Sequence, residues 1–134
     1  MAADPELKQK VEEAIAQNPV LLLMKGTPDM PRCGFSMRVV NVLEQLGVEY
    51  GAIDVLPALQ PLREVTMEIA DWQTFPQLYV NGELVGGCDI VEEMLETGEL
   101  AQLLGVEQPE DAKLPEPERI LPGGPQTSPP MQLG

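Results

Sequence analysis

Apolar positions along residues 1–106 fall into helical stripes, alternating runs and one continuous block, and their order defines the elements. Leu7, Val11, Ala14 and Ile15 share one face of a first helix. Asp4 is placed to cap that helix, Pro5 suits its first position, and Asn18-Pro19 ends it. Val20 to Met24 is uninterrupted and apolar, the pattern of a strand buried on both faces. A loop from Lys25 to Arg32 carries Pro28 and Pro31. A second helix over Gly34 to Leu46 turns Val39, Val42, Leu43 and Leu46 inward, with Gly47 placed to terminate it. Val48 to Asp54 reads as a second strand. Pro57 and Pro61 open a third helix with Leu62, Val65 and Ile69 on its inner face. Gln77–Val80 and Leu84–Val85 flank Asn81-Gly82, a two-residue hairpin signal. A last helical region begins at Asp89, where Asp89 and Glu92 have capping-box spacing, and Gly98 breaks it. This α-β-α-β-α-β-β-α order predicts an α/β fold, a four-stranded mixed sheet with helices on both faces.

After Val106 the pattern stops. Residues 107–134 hold seven of the chain's fourteen prolines, no aromatic residue, and no charge from Ile120 onward. The expected organisation is one domain over 1–106 and a Pro-rich, disordered extension over 107–134. A chain of 134 residues is long enough for a real core.

Charge narrows the function. The formal net charge of −14 argues against nucleic-acid binding and against docking on anionic membranes. No apolar run approaches the length of a membrane span. The start, Met1-Ala-Ala-Asp-Pro-Glu, is acidic where a signal peptide is basic. Two cysteines, Cys33 and Cys88, are too few for a disulfide scaffold, so the expected compartment is the reducing cytoplasm. Three of the few basic residues, Lys25, Arg32 and Arg38, lie within eight positions of Cys33. They form either a local anion site or ordinary loop and helix decoration.

Cys33 stands between an apolar strand and a helix. Unpaired N–H groups and the positive end of the helix dipole favour the thiolate there, the form that attacks disulfides and binds metals. The position where a Cys-x-x-Cys pair would place its second thiol holds Ser36. Gly34 allows another molecule to approach closely. Lys25 ends the first strand on the side where ligands of open α/β sheets bind, either pairing with an anion or simply solvated. Thr74-Phe75-Pro76 precedes a strand; a cis bond there would turn the Phe75 backbone outward, and a trans proline is the alternative. Gly86-Gly87-Cys88-Asp89 is either an anion site at a helix start or a tight turn capped by aspartate. Histidine is absent and the two cysteines are far apart in sequence, which argues against a self-contained zinc site. A four-thiolate iron–sulfur site would need ligands from a second protomer, a small thiol, or both.

Together, Met24-Lys-Gly-Thr-Pro, Cys33-Gly-Phe-Ser36, Trp72-Gln-Thr-Phe-Pro-Gln-Leu-Tyr-Val80 and Gly82-Glu-Leu-Val-Gly-Gly-Cys-Asp-Ile90 resemble the monothiol glutaredoxins of the Cys-Gly-Phe-Ser type. The similarity spans about Pro5 to Leu104. It implies the thioredoxin-like fold and a cis bond before Pro76. It also implies glutathione as the anionic ligand: Lys25 and Arg63 on the glycine carboxylate, the Phe75 backbone on the cysteinyl unit, Cys88 and Asp89 at the γ-glutamyl end, Cys88 mainly through its backbone groups. Cys33 would be the catalytic thiol and the ligand of a [2Fe-2S] cluster shared by a homodimer, each protomer adding one glutathione thiolate. Partners implied are BolA-like proteins and apo iron–sulfur acceptors. Gln73 departs from the family pattern, where proline commonly follows the tryptophan, and the loop from Leu56 to Pro61 is unusually proline-rich. Two further functions compete with cluster carriage. One is weak glutathione-dependent thiol–disulfide exchange; the other is a redox sensor in which Cys33 and Cys88 pair.

Overall fold

The computed structural model describes residues 3–109. Its elements are α1 (Pro5–Gln17), β1 (Val20–Met24), α2 (Gly34–Leu46), β2 (Gly51–Asp54), a single 3₁₀ turn (Leu56–Ala58), α3 (Leu59–Ala70), β3 (Gln77–Val80), β4 (Glu83–Gly86), α4 (Cys88–Thr97) and α5 (Glu99–Leu104). The sheet order is β2-β1-β3-β4. β1 runs parallel to β2 and antiparallel to β3, and β3 pairs antiparallel with β4. The hairpin turns at Asn81 and Gly82, both at positive φ (52° and 87°). This is the thioredoxin-like arrangement.

β1 organises the core. All five of its residues are buried. Strand alternation sends Val20, Leu22 and Met24 to one face, where they meet Val39, Val42 and Leu43 of α2, Val91 and Leu95 of α4 and Leu100 of α5. Leu21 and Leu23 go to the other, with Val11 and Ile15 of α1, Leu62 and Val65 of α3, and Tyr79. A two-faced strand must be continuously apolar, as the sequence is here. Each such leucine contributes about 1.5–3 kcal/mol by leaving water.

Capping follows local chemistry at most ends. The Asp4 carboxylate accepts the Glu6 N–H, Pro5 opens α1, and Gly47 ends α2 in the left-handed region. Three expected boundaries are corrected. β2 starts at Gly51 rather than Val48, because pairing with β1 reaches only from Leu21↔Gly51 to Met24↔Asp54. Val48 and Tyr50 pack against the core outside the ladder. Pro57 lies in the 3₁₀ turn, and α3 begins at Leu59 with Pro61 in its first turn, where a missing N–H leaves no bond unmade. α4 begins at Cys88, with Gly87 as its N-cap and Asp89 already inside the helix.

Among the described residues no helix is long and apolar enough to cross a membrane. After α5 the chain turns back, and the Gln108 side-chain amide donates to the Leu95 carbonyl at 3.0 Å. The expectation of a disordered Pro-rich extension falls, from residue 110 onward, outside the described residues.

Candidate functional site

The loop that delivers Cys33 is tied down at both ends. The Lys25 carbonyl accepts the Arg32 N–H at 2.9 Å, and Thr27 and Met30 exchange backbone hydrogen bonds. Gly26 bridges to Pro31, and its N–H donates to Asp54 Oδ1 at 2.9 Å. Gly26 has φ +91°, and a Cβ there would lie 2.5 Å from the Met30 carbonyl oxygen and 2.7 Å from the Arg32 nitrogen. Only glycine fits that crossing.

Cys33 is the N-cap residue of α2, in extended conformation (φ −149°, ψ 135°), and its side chain makes no cap hydrogen bond. It is half-buried. Within four residues of it in the chain are exposed apolar side chains: Met30 (62 % exposed), Phe35 (55 %) and Met37 (49 %). Ser36 is fully buried, and its Oγ accepts the Lys25 N–H at 3.1 Å. Lys25 therefore belongs to the Cys33 corner through its backbone.

A groove of about 390 Å³ opens beside this corner, lined by Phe35, Trp72, Thr74 to Pro76, and Gly87 to Ile90. Its size suits a small ligand. The Phe75–Pro76 bond is cis. Gly87 lets the start of α4 approach this loop: a Cβ there would sit 3.3 Å from the Pro76 carbonyl oxygen. The wall is braced from below by Gln77, fully buried, whose amide donates to the Trp72 and Thr74 carbonyls at 3.2 and 3.1 Å. Gln77 Oε1 accepts the Tyr79 hydroxyl at 2.7 Å. Burial pushes the Tyr79 hydroxyl up to about 12. Among the described residues, Trp72 Nε1 is the one buried side-chain donor with no partner.

The structure brings Phe75, Cys88 and Asp89 together in the groove, beside Phe35 of the Cys33 motif. Lys25 lies at the Cys33 corner, while Arg63 sits on α3; neither lines the groove, nor does Cys33 itself. No disulfide joins Cys33 and Cys88: Cys88, the first residue of α4, is buried in the core, and Cys33 is at the loop-to-helix corner.

Two readings change. Arg38 does not belong to a basic island around Cys33: its guanidinium makes a two-pronged pair with the Glu92 carboxylate on α4, Nε to Oε2 at 2.8 Å and Nη2 to Oε1. Glu92 accordingly is no capping-box partner of Asp89. Cys88, Asp89 and Glu92 each bring one donor atom within 4.8 Å of the others. Glu92 is already held by Arg38, so this is not an open metal-ligand set. Sequence reasoning missed Trp72, Thr74 and Ile90 as groove walls and the Arg38–Glu92 pair. The pair leaves no local signal because its partners are 54 residues apart in sequence, and Trp72 and Thr74 form one groove with Ile90 only across the fold.

The fold and this half-buried thiol beside a cis-proline groove define a thioredoxin-like thiol protein of the glutaredoxin type. The glutaredoxin family model matches residues 20–85. The chain is 52 % identical over 116 residues to monothiol glutaredoxin-5, mitochondrial, of Lachancea kluyveri, covering 84 % of this chain and 78 % of that one. Among solved structures it resembles reduced poplar apo GrxS14 (41 % identity, TM-score 0.68, 78 % of this chain and 95 % of that one). It also resembles a buckwheat glutaredoxin–glutathione complex (25 % identity, TM-score 0.67, 75 % and 88 %). The chain belongs to the glutaredoxin family, among the monothiol glutaredoxins.

Proposed function

We propose that the protein is a glutathione-dependent carrier of a [2Fe-2S] cluster, which it delivers to apo iron–sulfur proteins. The observation that carries this reading is the Cys33 corner: a half-buried thiol at a helix N-terminus, with a buried hydroxyl, Ser36, where a resolving thiol would stand. The donor set fits such a cargo only with outside help. Cys88, though it borders the groove, is only 7 % exposed and packs in the core, so Cys33 is the more exposed thiol of the chain, and one thiolate falls short of the four a cluster needs. A homodimer in which each protomer supplies Cys33 and one glutathione thiolate meets that number. Exposed Met30, Phe35 and Met37 give Cys33 an apolar rim suited to burial against a second protein.

In this reading glutathione lies along the groove. The Phe75 backbone pairs with its cysteinyl unit, and the start of α4 at Cys88 and Asp89 takes the γ-glutamyl end. Lys25 and Arg63 hold the glycine carboxylate, Arg63 reaching in from outside the groove. Support comes from the groove's size and lining and from the buckwheat relative solved with glutathione. BolA-like proteins are proposed as further partners. The proposed compartment is the reducing cytoplasm, since the chemistry needs Cys33 as a thiol.

The test is anaerobic reconstitution with iron, sulfide and glutathione, with a glutathione-free control, read by visible absorption and by mass in solution. A coloured dimer that requires glutathione supports the carrier. A colourless monomer would instead favour monothiol exchange, in which Cys33 takes the glutathionyl group from a mixed disulfide and free glutathione removes it as glutathione disulfide.

A further inference from the structure

Glu92 is a carboxylate buried to 5 % exposure on the helix that forms one wall of the groove. It lies three residues beyond Asp89 and four beyond Cys88, hence on the same helix face. Its oxygen is within 4.8 Å of both the Cys88 sulfur and an Asp89 oxygen. Two carboxylates thus crowd the first turns of α4: Asp89 lines the groove, and Glu92, outside the lining, lies close enough for its charge to act on an anion bound there. A buried carboxylate is tolerated only when paired, and its partner comes from the other wall. Arg38 lies on α2, five residues beyond Cys33, and grips Glu92 with two nitrogens. The same guanidinium lies 5.8 Å from the centre of the Phe35 ring, which lines the groove together with Cys88 to Ile90.

We infer that Arg38 is a positioning and charge-balancing residue for the ligand groove, cancelling the Glu92 charge so that an anionic group can bind at the start of α4. The bidentate geometry suits arginine's planar fork. With Glu92 neutralised, the N–H groups of the first α4 turn and the helix dipole attract a carboxylate, and Asp89 remains to receive an ammonium. Without Arg38, Glu92 repels the carboxylate at short range through a poorly screened interior. This inference rests on the proposed binding of glutathione, whose γ-glutamyl end carries both a carboxylate and an ammonium.

The test is NMR titration of the reduced full chain with two probes: glutathione, and 4-aminobutyryl-cysteinyl-glycine, which is glutathione without the γ-glutamyl carboxylate. Arg38→Met is expected to weaken glutathione about five- to tenfold and the analogue less than about twofold. Arg38→Lys, which keeps the charge, should stay within about twofold of the native protein for both probes. Adding Glu92→Gln to Arg38→Met should restore glutathione binding. Should Arg38→Met not fold, Arg38→Gln carries the same comparison. Equal losses for both probes would mean that the pair merely holds the helices together, and unchanged affinities would mean that it does nothing for the ligand; either overturns the inference. If the native protein binds neither probe, the glutathione reading itself fails and takes this inference with it. If the native protein binds both and only the variants behave alike, the glutathione reading stands and this inference alone is lost.

Discussion

Ser36 Oγ and the Lys25 backbone N–H are 3.1 Å apart, so the residue in the resolving-thiol position holds the end of β1 instead of doing redox chemistry. The hydroxyl is fully buried, and its removal leaves the Lys25 N–H without this acceptor. Ser36→Ala is expected to cost about 1–3 kcal/mol. A urea-denaturation midpoint indistinguishable from the native protein's would contradict it.

Gly26 sets the path of the loop that presents Cys33. Gly26→Ala must carry a Cβ 2.5 Å from the Met30 carbonyl oxygen at φ +91°. The expected loss is at least about 2 kcal/mol. Faster amide exchange should appear at Arg32, whose N–H bonds to Lys25 across the same loop. Unchanged stability and exchange would show that the loop relaxes freely.

The two cysteines should separate by chemistry and by stability. Cys33→Ser, at a half-buried corner, is expected to leave the thermal midpoint nearly unchanged while abolishing cluster assembly and mixed-disulfide formation. Cys88→Ser places a hydroxyl among core residues and should lower stability by about 1–3 kcal/mol while cluster assembly survives. Cluster assembly of normal colour in Cys33→Ser would remove Cys33 as the ligand.

Alkaline pH should undermine the groove wall. The Tyr79 hydroxyl is pushed up to about 12 by burial. In the unfolded chain it ionises near its ordinary value of about 10. Its contribution is therefore complete below about pH 10 and is lost as pH rises toward about 12, a loss on the order of 2–3 kcal/mol. Tyr79→Phe should flatten that decline, measured by urea titrations across this range. It should also loosen Gln77, which loses a donor and braces Trp72 and Thr74. An equally steep decline in Tyr79→Phe would assign the alkaline sensitivity elsewhere; Tyr50 is also pushed up to about 12, chiefly by burial and then by Glu44.

Element order, the two-faced central strand and the Cys33 corner were all legible along the chain. Each rests on neighbours in sequence: the continuous run from Val20 to Met24, Asp4-Pro5 before an amphipathic stripe, Asn81-Gly82 between alternating residues, and a cysteine at a helix start. Local backbone preference and hydrophobic periodicity suffice for such features. The boundaries of β2 and α4 were less legible, because pairing with β1 ends the first and Gly87 opens the second, whatever capping-box spacing Asp89 and Glu92 have.

By itself, then, the sequence determined the layers of the fold and which thiol stands at the helix start, since these follow from short-range pattern and burial. Tertiary structure alone decided what the charged and polar residues do. Arg38 sits near Cys33 in sequence yet belongs to Glu92 on α4, and the Gly26 N–H is met by Asp54 at the end of β2. A buried charge or amide takes whichever partner folding brings within hydrogen-bond reach, and that partner is chosen by helix and strand packing across the domain rather than by distance along the chain.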